Sequence, residues 1–293
     1  DHRTMEVLAE VGSGDYFDES ISGQVNGVTA RRSPGSALKP LVYGLAFDEG
    51  LIHPHSMLKD APTTFGGFDP ENFDLDFTGP TTAREALIKS RNVPAVAVSA
   101  LLKSPGLYGL LKKAGVPLAH GPEYYGLGLA LGTAEVSMQE LVELYAALAN
   151  GGGHRRLRRA LHDPQSTTTA LLSPEASFLI LDILKDNARP QRASRPWARQ
   201  PSPAYWKTGT SYAFRDAWTV GIIGPFALAV WIGDFSGQGN PAFIGIDAAA
   251  PLFFEIADAL QTGPTPTSVL ETMSRHGLNL TKVDVCAISG KMP

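Results

Sequence analysis

Three short segments hold the residue types that nucleophilic acyl transfer requires: Ser36-Ala37-Leu38-Lys39, Ser90-Arg91-Asn92 and Lys207-Thr208-Gly209. A serine hydroxyl is a weak nucleophile until a base stands within hydrogen-bond reach. On a helix, residues three apart share a face, so Lys39 lies one turn beyond Ser36. A lysine buried close to a second cation sheds its charge more readily and can then take the serine proton. Ser90 offers a hydroxyl to relay a proton to a leaving amine, and the Asn92 amide can hold a substrate carbonyl. The third segment has strand character. Alternation there sets Lys207 and Gly209 on one face and Thr208 on the other, and a glycine lets a substrate backbone approach closely.

Each segment alone is a weak signal. Ser56-Met57-Leu58-Lys59 also satisfies the first pattern, whereas K-T-G and S-x-N each occur once. Context separates the two serines. Ser36 follows Pro34-Gly35 and opens a run with Leu38, Leu41, Val42, Leu45 and Ala46 at helical spacing, which presents the hydroxyl at a helix N-terminus. Ser56 follows His53-Pro54-His55 and runs into Pro62, where proline discourages a continuing helix. Ser56 is therefore read as a surface serine.

The elements that must position these residues can be placed in outline. Met5 to Val11 reads as a strand, residues 53–80 as a long ordered loop, and Thr82 to Lys89 as a short amphipathic helix. Val93 to Lys103 reads as another helix, with Pro94 in its first turn. Ser137-x-x-Glu140 is a capping box that starts a helix to about Ala149, and Ser173-Pro174-Glu175 is a second strong helix start. Tyr205 to Thr210, Trp218 to Ile223 and Ala227 to Gly233 are strand-like runs close enough for an antiparallel meander. Ala248 to Leu260 is a closing helix. Thr262 to Thr267 has linker composition, which sets a main domain over 1–263 and a linker with the start of an extension over 264–293. The expected class is α+β or mixed α/β, a helical block in or beside an antiparallel sheet.

Composition narrows the function. The 293 residues are 43% hydrophobic and 18% charged, the balance of a globular protein and not of a disordered or collagen-like one. The formal net charge of −4 does not suit a chain built to neutralise a phosphate backbone, so no nucleic-acid partner is expected. The basic run His154 to Arg159 is read as a solvated strand or loop face. Cys286 stands alone, so no internal disulfide can form. No apolar stretch spans a bilayer and no leader segment is recognisable at Asp1, so the chain reads as an excerpt of an exported or anchored protein. Gly126 to Gly132 misses a dinucleotide fingerprint by one place and reads as a tight turn. His53-x-His55 lacks further ligands at metal spacing, and Asp74-x-Asp76 lacks the rest of a calcium loop; no metal or cofactor is expected. Phe65, Phe68, Phe73 and Phe77 are read as core or groove-lining, and Asp182 to Asp186 as a solvated face.

Beyond the three motifs, the segment Arg31 to Pro40 resembles the nucleophile segment of class A penicillin-binding proteins. Pro70 to Phe73, Gly79-Pro80, Arg84 to Val96 and Leu131 to Ser137 are similar to the same family. Trp206 to Ser211, Phe214 to Trp218 and Val285 to Gly290 look most like its 1C subtype. The resemblance covers nearly the whole chain. It implies the transpeptidase fold shared with serine β-lactamases, an antiparallel sheet flanked by helices with an all-helical subdomain. It implies that Ser36 attacks the bond between the terminal D-alanines of a peptidoglycan stem peptide, with Lys39 as base and Ser90 as proton relay. Asn92 would orient the donor. Lys207, with the hydroxyls of Thr208 and Thr210, would recognise its carboxylate beside Gly209, and the N–H groups of Ser36 and Thr210 would form the oxyanion hole. A neighbouring stem peptide's amine would resolve the acyl-enzyme, and β-lactams would block it. The implied setting is the periplasmic face of the inner membrane, in a parent with a glycosyltransferase domain upstream. A β-lactamase or D,D-carboxypeptidase on the same fold is the nearest rival, and a β-lactam sensor or idle scaffold a further one. Arg91, where β-lactamases often carry Asp, favours the synthetic enzyme.

Overall fold

A computed structural model describes residues 1–160, 162–190, 203–260, 268–275 and 277–291. A 3-10 turn over Gly35–Leu38 runs directly into α1 (Lys39–Asp48). Pro40 lies in the first turn of α1, where its missing N–H leaves no helical bond unmade. Next comes a hairpin, β1 (Met57–Asp60) paired antiparallel with β2 (Gly79–Thr82). Thr82 then caps α2 (Ala83–Ile88) in a reciprocal box with Glu85. α3 (Asn92–Leu101), α4 (Gly106–Lys113), α5 (Pro122–Tyr125) and a 3-10 stretch over Gly126–Leu131 lead to α6 (Met138–Ala149). The Ser137 and Glu140 box forms as its spacing requires. A short ribbon of β3 (Gly153–His154) and β4 (Thr169–Ala170) precedes α7 (Pro174–Leu184), capped by Ser173.

The sheet that matters for function is the meander β5 (Ala204–Thr210), β6 (Asp216–Ile223) and β7 (Phe226–Gly233). Its middle strand β6 is buried at all eight positions. Alternation splits it: Trp218, Val220 and Ile222 face the helical core with α1, α6 and α7. Ala217 and Ile223 face the other way, onto Phe253 and Phe254 of α8 (Ala250–Leu260). Aromatic and β-branched residues suit a strand packed on both faces. A π-helical turn over Gly245–Ala249 leads into α8. The layers are thus a helix, a sheet and a helical block, the class expected.

Several local expectations need correction. Residues 5–11 form no strand; Glu6 alone makes an isolated bridge to Arg158, and Leu8 and Val11 are exposed. The 53–80 loop contains the β1–β2 hairpin. His154 is not solvated: it is buried, with its Nε2 3.3 Å from the Glu143 carboxylate. Phe68, Phe73 and Phe77 are exposed and so are not core residues. The linker expected at 262–267 lies outside the described residues. Beyond it, α9 (Val269–Arg275) buries Val269 and Met273 in the core cluster that α7 also feeds.

Candidate active site

Ser36 sits half-buried in the 3-10 turn, and the turn is braced from three sides. The Trp218 indole donates to the Ser33 carbonyl at 2.9 Å, and the Ser33 hydroxyl donates to Gly132 O at 2.8 Å. From α6, the Tyr145 hydroxyl donates to Ala37 O at 2.8 Å. The end of β5 packs on the turn main chain to main chain. A Cβ on Gly35, whose φ is +52°, would lie 2.4 Å from Thr210 O, and one on Gly209 would lie 2.1 Å from Pro34 O. The room left by Gly209 is therefore filled by the Pro34 carbonyl. Its absent side chain admits the nucleophile's turn, not the substrate backbone.

Two lysines converge on Ser90 Oγ. Lys39 is 0% exposed and Lys207 2%. The Lys39 ammonium donates to Ser90 O at 2.6 Å, Asn92 Oδ1 at 2.6 Å and Arg91 O at 3.1 Å. Three donors meet three acceptors. Spacing alone put Lys39 over Ser36, but its amine turns to the Ser90–Asn92 bend, where those acceptors converge. Among the described residues no hydrogen bond joins it to Ser36 Oγ. Catalytic bonds of this kind are often long in a free enzyme and tighten with substrate. Lys207 donates to Ser90 Oγ at 2.7 Å and to Thr208 O at 3.0 Å. Ser90 Oγ lies 3.5 Å from the Lys39 amine as well, so one hydroxyl bridges both cations.

Burial pushes the Lys39 amine well below its ordinary range, and the charges of Lys207 and Arg91 push the same way while Asp60 opposes them. Burial brings Lys207 down to about 7.

The remaining expected residues fall around this centre. Asn92 holds Lys39 with its carbonyl end and donates from Nδ2 to Glu71 O at 2.6 Å. The Thr210 hydroxyl oxygen accepts the Gly245 N–H at 3.0 Å, which leaves its own proton to donate. Thr208 lies on the opposite face, toward the Gly245 turn. The second Ser-x-x-Lys is excluded by its backbone: Met57 opens β1, Ser56 Oγ accepts the His53 N–H at 2.9 Å, and Lys59 is exposed. On a strand, residues three apart point to opposite faces.

Sequence reasoning missed Asp60 and gave no role to Asn72, which it met only within the family-like segment Pro70 to Phe73; both contact the 90–92 bend from the β1–β2 hairpin. It noted Arg91 only as a departure. A buried polar residue in a loop carries no periodic signal, so nothing in the local pattern marks these positions. Phe73, beside Asn72, packs edge-on against Phe214, with ring centroids 5.7 Å apart. Among the described residues no group of His, Cys, Asp or Glu side chains is placed to hold a metal.

A pair of buried lysines thus shares one serine hydroxyl, Ser90 Oγ, next to a half-buried serine turn at the start of a helix and the edge of an antiparallel sheet. The model of the "Penicillin binding protein transpeptidase domain" matches residues 1–232, and the chain belongs to that family. It is 38% identical over 277 residues to Penicillin-binding protein 1C of Escherichia coli, covering 92% of this chain and 36% of that protein. It is 30% identical over 283 residues to Penicillin-binding protein 1F of Bacillus subtilis, covering 89% and 38%. The chain thus spans a little over a third of the length of these two relatives. Among solved structures, Penicillin-Binding Protein 1A from Haemophilus influenzae shares the fold with a TM-score of 0.73 at 19% identity, covering 92% of this chain and 48% of that one. The transpeptidase domain of penicillin-binding protein 3 from Burkholderia pseudomallei aligns with a TM-score of 0.70 at 19% identity, covering 92% and 88%.

Proposed function

We propose that this domain is a serine-type D,D-transpeptidase that cross-links peptidoglycan stem peptides through an acyl-enzyme on Ser36. One observation carries the reading: Ser90 Oγ lies between two buried lysines, one of them three residues beyond Ser36 and the other on β5, whose end packs on the Ser36 turn. Ser36 Oγ attacks the carbonyl between the donor's terminal D-alanines, and its proton passes to the neutral Lys39 amine. The N–H groups of Ser36 and Thr210, on segments packed together at Gly35, hold the developing oxyanion. The bond to the last D-alanine breaks, and Ser90 passes a proton to the departing amine. Lys207 has an N–H beyond the two it gives to Ser90 and Thr208. That N–H, with the Thr210 hydroxyl, holds the donor's carboxylate, whereas Thr208, turned to the opposite face beside Gly245, takes no part in this anchor. Asn92 turns its Nδ2 toward the donor, fixed by the Glu71 carbonyl. An acceptor amine then attacks the ester, forming the cross-link and freeing Ser36.

By the same reading, β-lactams present a carboxylate and a strained amide to these groups and leave a slow ester. The domain would work at the periplasmic face of the inner membrane, within a longer anchored protein bearing a glycosyltransferase domain upstream. Incubation with a labelled penicillin is expected to add one drug mass per chain, mapping to Ser36. Ser36→Ala abolishes the adduct and Ser56→Ala leaves it intact. Labelling that survived Ser36→Ala would overturn the assignment.

A further inference from the structure

The Ser90–Asn92 bend is held by a buried polar cluster that the acyl-transfer chemistry does not itself use. Asp60, at the end of β1, is 0% exposed. Its Oδ1 accepts Asn72 Nδ2 at 2.7 Å. Its Oδ2 accepts the Thr78 N–H at 3.0 Å, the Thr78 hydroxyl at 2.9 Å and Arg91 Nε at 2.7 Å. Arg91 donates on to Asp74 Oδ2 at 2.6 Å and to the Asp76 carbonyl. Asn72 donates its other N–H to Asp76 O at 2.9 Å and accepts the Asn92 N–H at 2.7 Å. Every polar atom of the Asp60 carboxylate and the Asn72 amide is hydrogen-bonded, which favours one arrangement of the cluster.

That rigidity has an object. Ser90 stands at φ +58°, a left-handed conformation that a non-glycine residue keeps only when its surroundings impose it. Arg91 and Asn92, the next two residues, are the ones pinned to the hairpin. The bend so fixed offers Lys39 its three acceptors and Lys207 its hydroxyl.

We propose that Asp60, with Asn72 and Arg91, is the positioning apparatus of the acyl-transfer site: it locks the Ser90–Asn92 bend and sets the charge that faces Lys39. The inference rests on the transpeptidase reading above and adds residues outside the three motifs. The groups facing the Lys39 amine are Lys207 from β5, Arg91 from the bend and Asp60 from β1. Tyr43 on α1 and Tyr145 on α6 are neutral phenols, whose pKa burial raises, so they add no charge. Asp60 favours the charged amine and Arg91 disfavours it.

The test is the penicillin acylation rate across pH, with adduct stoichiometry counting the competent fraction. Asp60→Asn removes a negative charge facing Lys39, so the acid limb moves to lower pH. Arg91→Gln removes a positive one, so the limb moves to higher pH. Asn72→Ala leaves the charge unchanged and frees the bend, so the rate falls roughly 10²-fold with the limb in place. Should Asp60→Asn not fold, Asp74→Asn carries the same test. Asp74 is 53% exposed at its side chain, and its loss strips Arg91 of a carboxylate, shifting the limb down by less. A purely structural role would lower only the fraction that takes label, with the rate and profile of that fraction as in wild type. That result would overturn the proposal. Wild type that takes no adduct at Ser36 would sink the transpeptidase reading itself, and this inference with it.

Discussion

At the scale of single residues, the site turns on two lysines of unlike task in one dry space. On the proposed mechanism Lys39 is neutral when it accepts a proton, and both burial and the Lys207 charge favour that state. On the same proposal Lys207 is charged when it holds a carboxylate, yet burial alone brings it to about 7. Acylation at low drug concentration is therefore expected to rise with pH as Lys39 discharges and to fall above about 7 as free-enzyme Lys207 does so. The limbs belong to the coupled pair. Replacing Lys207 with Gln removes the repelling charge, so the acid limb moves to higher pH and the falling limb disappears; an acid limb that stays put would refute this account of the base. Lys207 also links stability to pH. Between about 7 and its ordinary value of 10.5 the unfolded chain binds a proton that the native one does not, so the native state gains stability as pH rises through that window. Lys207→Met abolishes this slope. Denaturant melts at pH 7, 8 and 9 should show wild type gaining on the variant by on the order of 1 kcal/mol or more.

At the scale of elements, the site depends on how closely β5 meets the serine turn. A methyl group at 209 would lie 2.1 Å from Pro34 O, a backbone atom that cannot swing aside. Gly209→Ala is expected to force strand and turn apart, destabilising the domain by about 1–3 kcal/mol and slowing acylation roughly 10²-fold. Melting and adduct kinetics on one preparation measure both. Much of this scale was legible in sequence. The Ser137–Glu140 and Ser173–Pro174 starts and the meander rested on local signals, capping chemistry and alternation, that tertiary packing did not override. The hairpin within 53–80 escaped because its four-residue strands pair across an 18-residue loop rather than a tight turn. The Met5–Val11 strand failed for the converse reason: apolar residues of strand type found no ladder to join. At the site, the motif residues could be found from their chemistry, whereas Asp60 and Asn72 reach it only through the fold.

At the scale of the whole molecule, the C-terminal stretch bears on where the domain ends. A boundary near residue 263 remains our proposal, and α9 makes its consequence measurable. Burying a side chain such as Val269 or Met273 contributes about 1.5–3 kcal/mol, and both lie in the cluster that α7 and Tyr205 share. Tyr205 also meets Ser268, hydroxyl to hydroxyl, at 2.8 Å. Truncation after residue 263 should therefore lower Tm while leaving one penicillin adduct per chain on Ser36. A truncated core that folds but takes no adduct would show that 264–293 belongs to the catalytic unit.

The bridge from Lys207 to Ser90 and the seating of Gly35 on Thr210 join segments made at very different times as the chain is synthesised from its N-terminus. Ser36 emerges early, but until β5 follows it there is no partner for its turn and no second cation beside Lys39. In that interval Lys39 lacks the Lys207 charge that opposes its own, and the Ser36 turn lacks the Thr210 main chain against which it packs. If the proposed acylation holds, an antibiotic captures only molecules whose sheet has closed and spares an unfinished copy. A chain ending before Ala204 should accordingly take no label at drug concentrations that saturate the full domain.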